Sequence, residues 1–260
     1  MRIAVCIKQV PTREWQPRID DSKRGVREQD ASFEMNEPDA YALEEALRLR
    51  EKHGGEVVAC TAGPPRASQV LREALARGAD RAIQVEHDHL SSITTDAFVI
   101  AGALAEAVRE ETFDLVLTGL QSDDQGAAQT GVILAERLGV PHATIVMDVQ
   151  LDETGAVPLV RVKRELEGGW FQWVEMPLPA LLTIQSGINQ LRYATLKGIM
   201  AAKKKEIRKV MPASLPAAHS SVVGLDVPRK TKQTQLIPGS PAEAAKGLIQ
   251  KLKDEARVIG

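Results

Sequence analysis

The residues best suited to chemistry lie in one run, TGLQSDDQGAAQTG, at positions 118–131. Gln121, Ser122, Asp123, Asp124 and Gln125 supply polar side chains, and Gly126, Ala127 and Ala128 are small enough to let a backbone approach a ligand. Gln129 leads into Thr130 and Gly131, which fall in the first turns of an expected helix. The free amides and positive dipole end of such a helix suit a phosphate. The two carboxylates would repel that phosphate unless they turn to ribose hydroxyls or a base amine. A capped loop with no ligand fits the same residues, and both readings stand at this point.

A second run, LRYATLKGIMAAKKKEI, begins at Leu191. It joins an apolar face of Leu196, Ile199 and Met200 to a basic end of Lys203, Lys204 and Lys205, followed by Arg208 and Lys209. Lysines at a helix C-terminus complement its dipole, so simple capping explains the charge. A protruding Leu196 beside positive charge also reads as a docking knob. His87 and His89 flank Asp88 like a metal pair, but they lie beyond a strand end and read as a solvated turn. GxxxxGK[ST], GxGxxG after a strand, HExxH, GxSxG and CxxC are all absent from the sequence. No nucleophile–base pair and no metal site are apparent, so no catalytic side chains are expected.

The elements that must position these residues alternate regularly. Strand-like runs at 3–8, 56–63, 81–86, 113–119 and 143–151 are separated by helical patterns at about 38–53, 67–78, 94–111 and 127–138. The first helix opens where Asn36 or Glu37 can cap and Pro38 is tolerated, and its inner face is Ala42, Leu43, Ala46, Leu47 and Arg50. Near-continuous apolar strands between helices predict a doubly wound, mainly parallel α/β sheet covered on both faces, in which ligands bind at the carboxyl ends of the strands. Three segments should converge there: KQVP after the first strand, TAGPP at 61–65, and the run at 118–131.

After position 151 the rhythm changes. PLVRVKRELEGGWFQWVEM and the following LPALLTIQS read as antiparallel strands around a Gly168-Gly169 turn. Trp170, Phe171 and Trp173 crowd there, in a packed hairpin or a binding surface. Positions 212–241 hold five of the fourteen prolines and read as an arm that cannot bury its own core. The last segment starts with Ser240 as cap and Pro241 at the first helical position, and Ala245, Leu248, Ile249 and Leu252 form one apolar face. The expected division is an α/β body at 1–205 and an extended arm at 206–260 that ends in a docking helix.

Composition narrows the function classes. The 260 residues carry 33 Lys+Arg against 35 Asp+Glu, and aromatics make up 3% of the chain. A formal charge of -2 and few aromatics argue against a broad nucleic-acid or base-stacking surface. With 43% hydrophobic and 26% charged residues, the chain reads as an ordinary globular protein. Cys6 and Cys60 stand in apolar runs and read as small buried hydrophobes. No apolar stretch reaches the ~20 residues of a membrane span, and the N-terminal run is too short for a signal peptide. A cytoplasmic location is the expectation.

Four blocks occur in an order and spacing that resemble a known family: MNEPDAYALEEALRLREKHGGEV, TAGPPRASQVLREALARGADRAIQV, FDLVLTGLQSDDQGAAQTGVILAERLGVP, and the long stretch from VKRELEGG to RYATLKGIMAAKKKEI. They resemble the β subunit of electron transfer flavoprotein over roughly residues 1–210, and the last block is the most specific. The resemblance implies a Rossmann-like nucleotide-binding fold in a heterodimer with an α subunit that holds most of a redox-active FAD. It implies a structural AMP, or in electron-bifurcating members a second FAD, in a pocket made by Cys6, by Asn36, Glu37, Pro38 and Asp39, by Ala62, and by the loop from Gly119 through Gln121, Ser122, Asp123, Asp124, Gln125, Gly126, Ala127, Ala128 and Gln129 to Thr130. Leu196 matches the anchor of the loop that docks on acyl-CoA and other dehydrogenases, with Tyr193, Ile199 and Met200 around it. Electrons would leave to a quinone-linked oxidoreductase.

The chain also departs from the family's patterns. Its QTG ending is closer to the AMP-holding members, although an Asn common there is Ala128 here. AMP is therefore expected, with a second FAD as the alternative. The aromatic that members place near FAD after the first strand aligns with Arg13, two positions before Trp15, and neither is carried over. From a different class, a stand-alone regulator that senses AMP or ATP on a related fold is the competing reading.

Overall fold

A computed structural model describes residues 1–87, 89–90, 94–152, 155–212, 214–228 and 234–259. In chain order the elements are β1 (Arg2–Cys6), β2 (Gln9–Pro11), β3 (Phe33–Met35), α1 (Glu37–His53), β4 (Glu56–Gly63), α2 (Ser68–Arg77), β5 (Arg81–Glu86), α3 (Ala97–Arg109), β6 (Leu115–Gly119), α4 (Thr130–Leu138), β7 (His142–Asp152), β8 (Leu159–Glu165), β9 (Phe171–Pro177), β10 (Ala180–Ile184), α5 (Leu196–Ala202), β11 (Ile207–Val210) and α6 (Pro241–Asp254). Among the described residues they build a nine-stranded sheet in the order β11-β5-β4-β1-β6-β10-β7-β8-β9. Pairing is parallel from β11 to β7 and antiparallel for β7–β8 and β8–β9. The short β2 and β3 pair antiparallel beside this sheet.

The helices cover both faces, and β1 shows why. Ile3, Val5 and Ile7 enter one core cluster with Leu43 and Leu47 of α1 and Leu71 and Leu75 of α2. Ala4 and Cys6 enter the other, with Leu104 and Val108 of α3 and Leu134 of α4. A strand buried on both sides cannot alternate apolar with polar residues, and RIAVC is accordingly apolar and buried throughout after Arg2. Cys6 and Cys60 lie opposite each other in register, buried and free. Burial pushes both thiols up, that of Cys60 to about 12, so they are inert packing residues.

The structure corrects several expectations. The segment LPALLTIQS does not extend the antiparallel ribbon. Its strand, β10, returns to the sheet between β6 and β7 and runs parallel to both. Five consecutive buried residues, Ala180 to Ile184, are the mark of a central parallel strand. Helix α4 begins at Thr130 instead of near 127, because Gly126 and Ala128 take positive φ and keep the preceding loop out of the helix. Helix α3 is shorter than expected, starting at Ala97 where the Asp96 carboxylate caps the Phe98 amide. Ala42, Leu43, Ala46 and Leu47 of α1 are buried as expected. Arg50 is not part of that core face; its guanidinium reaches the Gly78 carbonyl and Asp80, each at 2.9 Å.

The chain divides into two compact units, Met1–Leu225 and Asp226–Gly260. Ile207–Val210, within the segment read as arm, form the edge strand β11 beside β5. In the second unit, α6 starts with a capping box in which Ser240 and Glu243 satisfy each other's backbone amides, and Leu248 and Ile249 stay exposed. No helix among the described residues is long and apolar enough to cross a membrane.

Candidate functional site

The strand order creates a crevice. From β1 the chain winds outward through α1 to β4 and through α2 to β5, then crosses back through α3 to β6 on the other side of β1. Loops leaving β1 and β6 therefore diverge at their carboxyl ends, where Cys6 pairs with Thr118. Such a switch point is where open α/β sheets bind ligands. A cleft with about 890 Å³ of empty space, part of it open to solvent, lies here.

Two side chains, one just before α1 and one in its first turn, tie the rims of the cleft together. Asn36, buried, donates Nδ2–H to the Gln121 carbonyl at 3.0 Å, and its Oδ1 accepts the Asp123 amide at 2.9 Å. Asp39 accepts the Gly119 amide on Oδ1 at 2.8 Å and the Lys8 amide on Oδ2 at 2.7 Å. Burial raises the Asp39 carboxyl to about 6, against the opposing pull of these two amides. Gly119 is required by this approach: a Cβ there would stand 2.5 Å from Asp39 Oδ1 and 2.6 Å from Pro38 Cβ.

The acidic loop is neutralised from within. Lys8 places its ammonium 2.6 Å from Asp124 Oδ1 and 3.3 Å from Ser122 Oγ. Asp123 lies on the other side, 3.7 Å from Arg13, which also pairs with Glu37. Each carboxylate thus has a cation beside it, which offsets the repulsion foreseen for a phosphate. The start of α4 carries no side-chain cap, and its leading amides have no partner within the helix. One residue that lines the cleft carries an orphan acceptor. Gln9 is buried and donates Nε2–H to the Arg66 carbonyl and to Gln69 Oε1, each at 3.2 Å. The carbonyl fixes the orientation of the amide, which leaves Oε1 buried without a donor among the described residues.

Of the residues picked from the sequence, Cys6, Asn36, Asp39, Ala62, Gly119, Gln121, Ser122, Gln125, Ala127, Ala128, Gln129 and Thr130 line the cleft. Glu37, Pro38, Asp123, Asp124 and Gly126 do not. Pro38 packs beneath Gly119, Glu37 and Asp123 turn to Arg13, Asp124 turns to Lys8, and Gly126 makes the turn by donating to the Ser122 carbonyl at 2.8 Å. Sequence reasoning did not single out Lys8, Gln9, Gly63 and Pro64 within the converging segments, and it missed the segment entering α3, where Thr95 precedes an apolar wall of Ala97, Ile100 and Leu104. The signal for that wall was available, since α3 follows β5 and must begin at the same rim. Gln84, buried in β5, holds the segment after β4 by donating to the Pro64 and Pro65 carbonyls at 3.2 and 3.4 Å.

The second candidate region is solvent-facing. Tyr193 is 91% exposed and Leu196 83%, with Ile199 and Met200 also exposed on α5. The Thr195 hydroxyl caps α5 by accepting the Gly198 amide at 3.0 Å. Three of the five basic residues beyond it are spoken for. Lys205 turns inward to the carbonyls of Leu75 and Ala79, with its ammonium pushed down by burial. Arg208 pairs with Glu110 and Glu111, and Lys209 with Glu86. Lys203 and Lys204 remain as the exposed charge. On the antiparallel ribbon, Trp170, Phe171 and Trp173 are exposed rather than packed, and cations cover two rings: Lys163 at 4.0 Å from Phe171 and Arg161 at 4.6 Å from Trp173. Asp88, between the two histidines, lies outside the described residues. No group of three potential metal ligands occurs among those described.

Comparison with known proteins identifies the family. A family model described as electron transfer flavoprotein domain matches residues 24–215. Electron transfer flavoprotein subunit beta of Methylophilus methylotrophus is 37% identical, covering 98% of each chain. The Bacillus subtilis protein of that name is 34% identical over 90% of this chain and 91% of its own. The Homo sapiens one is 34% identical over 99% of both. The chain belongs to the electron transfer flavoprotein family, in the line of its beta subunits.

Proposed function

We propose that this chain is the β subunit of a heterodimeric electron transfer flavoprotein, that it holds one structural AMP in the cleft between β1 and β6, and that it shields an FAD bound mainly by an α subunit. The observation that carries the reading is the uncapped start of α4 at a cleft whose acidic loop is neutralised by Lys8 and Arg13. The donors and acceptors present suit a nucleoside monophosphate. Gln129, Thr130 and Gly131 would hold the phosphate through their amides. Cys6, Ala62 and Gln9 would border the base, with Gln9 Oε1 as acceptor for an exocyclic amine.

FAD, when bound, supplies the electron-accepting and electron-donating chemistry. The residues of this chain bind, shield and dock; the chain is an electron carrier subunit rather than an enzyme. Acyl-CoA and other dehydrogenases would dock at Tyr193, Leu196, Ile199 and Met200, an exposed apolar group that a solitary nucleotide sensor would not need. A quinone-linked oxidoreductase would take the electrons onward. The apolar residues left exposed on α6, Leu248 and Ile249, support an arm that docks on the α subunit. The cytoplasmic location belongs to the same proposal.

Co-expression with a candidate α subunit, followed by identification of bound ligands, tests the reading. One flavin and one AMP per heterodimer are expected. Two flavins would replace AMP with the bifurcating alternative. A chain that binds AMP or ATP alone and never acquires flavin would be the stand-alone regulator, and the heterodimer reading would fall.

A further inference from the structure

The loop that carries Tyr193 and Leu196 is bolted down on both sides, and the bolts come from elements that already shape the cleft. On its N-terminal side, Arg192 makes a two-pronged contact with Glu44: Nε to Oε2 at 2.8 Å and Nη2 to Oε1 at 2.9 Å. The same guanidinium reaches Glu51 Oε1 at 2.6 Å, and the Arg192 amide reaches Glu44 Oε2 at 3.2 Å. Glu44 is buried, although nothing in the sequence EEALRLREK marks it as a core residue. Three residues earlier, Asn189 donates to the Tyr41 carbonyl at 3.1 Å and to Glu45 at 2.9 Å. All these acceptors lie on α1. On the C-terminal side α5 presses against the end of α2, where a Cβ on Gly198 would stand 2.3 Å from the Ala76 carbonyl oxygen. The residues that protrude are those between and just beyond these bolts.

A buried carboxylate met by a bidentate guanidinium is a costly arrangement to build and a stiff one once built. A surface loop has no need of it for solubility. We propose that Arg192, seated on Glu44 and Glu51, is a positioning residue that holds the Tyr193–Leu196 turn in its docking shape before any partner arrives. The inference rests on the proposed docking role of Leu196. Its physical content is preorganisation: the ordering of the loop is completed during folding, so docking does not have to supply it. Helix α1 thereby serves both regions, with Asn36 and Asp39 at its start holding the cleft and Glu44, Glu45 and Glu51 farther along holding the loop.

The test uses the full chain in its flavin-loaded complex with the α subunit, and an acyl-CoA dehydrogenase with its acyl-CoA as electron donor. Arg192→Gln is compared with the double variant Glu44→Gln/Arg192→Gln, which removes the uncompensated buried charge along with the clamp, and with Leu196→Ala. The expected result is a rise of about tenfold in the dehydrogenase's KM for the flavin-loaded complex in both clamp variants, with little loss of kcat and with bound flavin and nucleotide intact. Arg192→Lys, which cannot span two carboxylates with one planar fork, should raise KM as well and not rescue it. If Leu196→Ala raises KM and neither clamp variant does, the positioning role is wrong and the docking role stands. If Leu196→Ala leaves KM unchanged, the docking role fails and this inference fails with it. Loss of flavin or of the fold in the double variant would reduce Arg192 to a general stabilising residue and overturn the proposal.

Discussion

The Lys8 ammonium and the Asp124 carboxylate, 2.6 Å apart, close an ion pair across the mouth of the cleft and turn an acidic loop into one that tolerates an anion. Asp124 Oδ1 also accepts the Gln125 amide at 2.8 Å, and Oδ2 is buried with no hydrogen-bond partner among the described residues, so removal of Lys8 leaves a nearly buried charge without its counter-ion. Lys8→Met should weaken AMP binding about tenfold, and Lys8→Met/Asp124→Asn should recover most of the loss. Titration calorimetry with AMP on the nucleotide-free protein checks both. Equal losses in the single and double variants would show that Lys8 acts on the ligand directly and not through Asp124.

Asp39 gives the fold a pH signature. Its carboxyl is raised from the usual 3.8 to about 6 in the folded chain, so the folded state holds a proton there that the unfolded state has released. Stability from this group is fully present below pH ~4 and is lost as pH rises through ~6. Asp39→Asn should flatten that slope. It should also lower stability at every pH by about 1–3 kcal/mol, because an amide NH2 would meet one of the two backbone amides that Asp39 accepts. Melting curves from pH 4.5 to 7.5 separate the two effects, and identical slopes in both proteins would contradict the assignment.

Gly119→Ala tests the contact between α1 and the end of β6. The new methyl must displace Asp39 or Pro38, and the expected cost is about 1–3 kcal/mol, or roughly 2–10 °C in melting midpoint. Nucleotide affinity should fall with it, since Asp39 sets the spacing of the two rims. A stable Gly119→Ala protein with unchanged affinity would mean that the rims hold without this contact.

Gln9 predicts which base the cleft selects. A buried acceptor with no donor favours a 6-amino purine over a 6-oxo purine, so AMP should bind better than inosine monophosphate. Gln9→Met should narrow that preference about five- to tenfold. Competition of the two nucleotides on each protein is the measurement, and a preference that survives the substitution would assign the selectivity elsewhere.

Much of the fold was legible because burial on two faces leaves a one-dimensional trace. The runs at 56–63 and 81–86 became β4 and β5 with those bounds, and the segments after β1, β4 and β6 meet at one cleft. What stayed hidden depends on partners distant in the chain. Lys8 and Asp124 are 116 positions apart, and no local pattern says that one neutralises the other. Glu44 and Glu45 have the composition of a solvent face, yet Arg192 and Asn189 cover them from 148 and 144 positions away. Strand β10 was misplaced because its neighbour in sequence, β9, is antiparallel to β8. Proximity along the chain suggested a continuing ribbon, while the run of buried residues required the centre of the sheet.

The position of β10 also sets an order of events during synthesis. Strands β6 and β7 do not touch in the finished sheet; each pairs with β10, which emerges only after β7, β8 and β9 have been made. Until Ile184 has left the ribosome, β6 presents a bare apolar edge that could pair with the wrong strand. A chain cut short before that residue would lack the strand that joins the two halves of the sheet, along with the edge strand β11, so β6 and β7 stay unjoined until β10 is made.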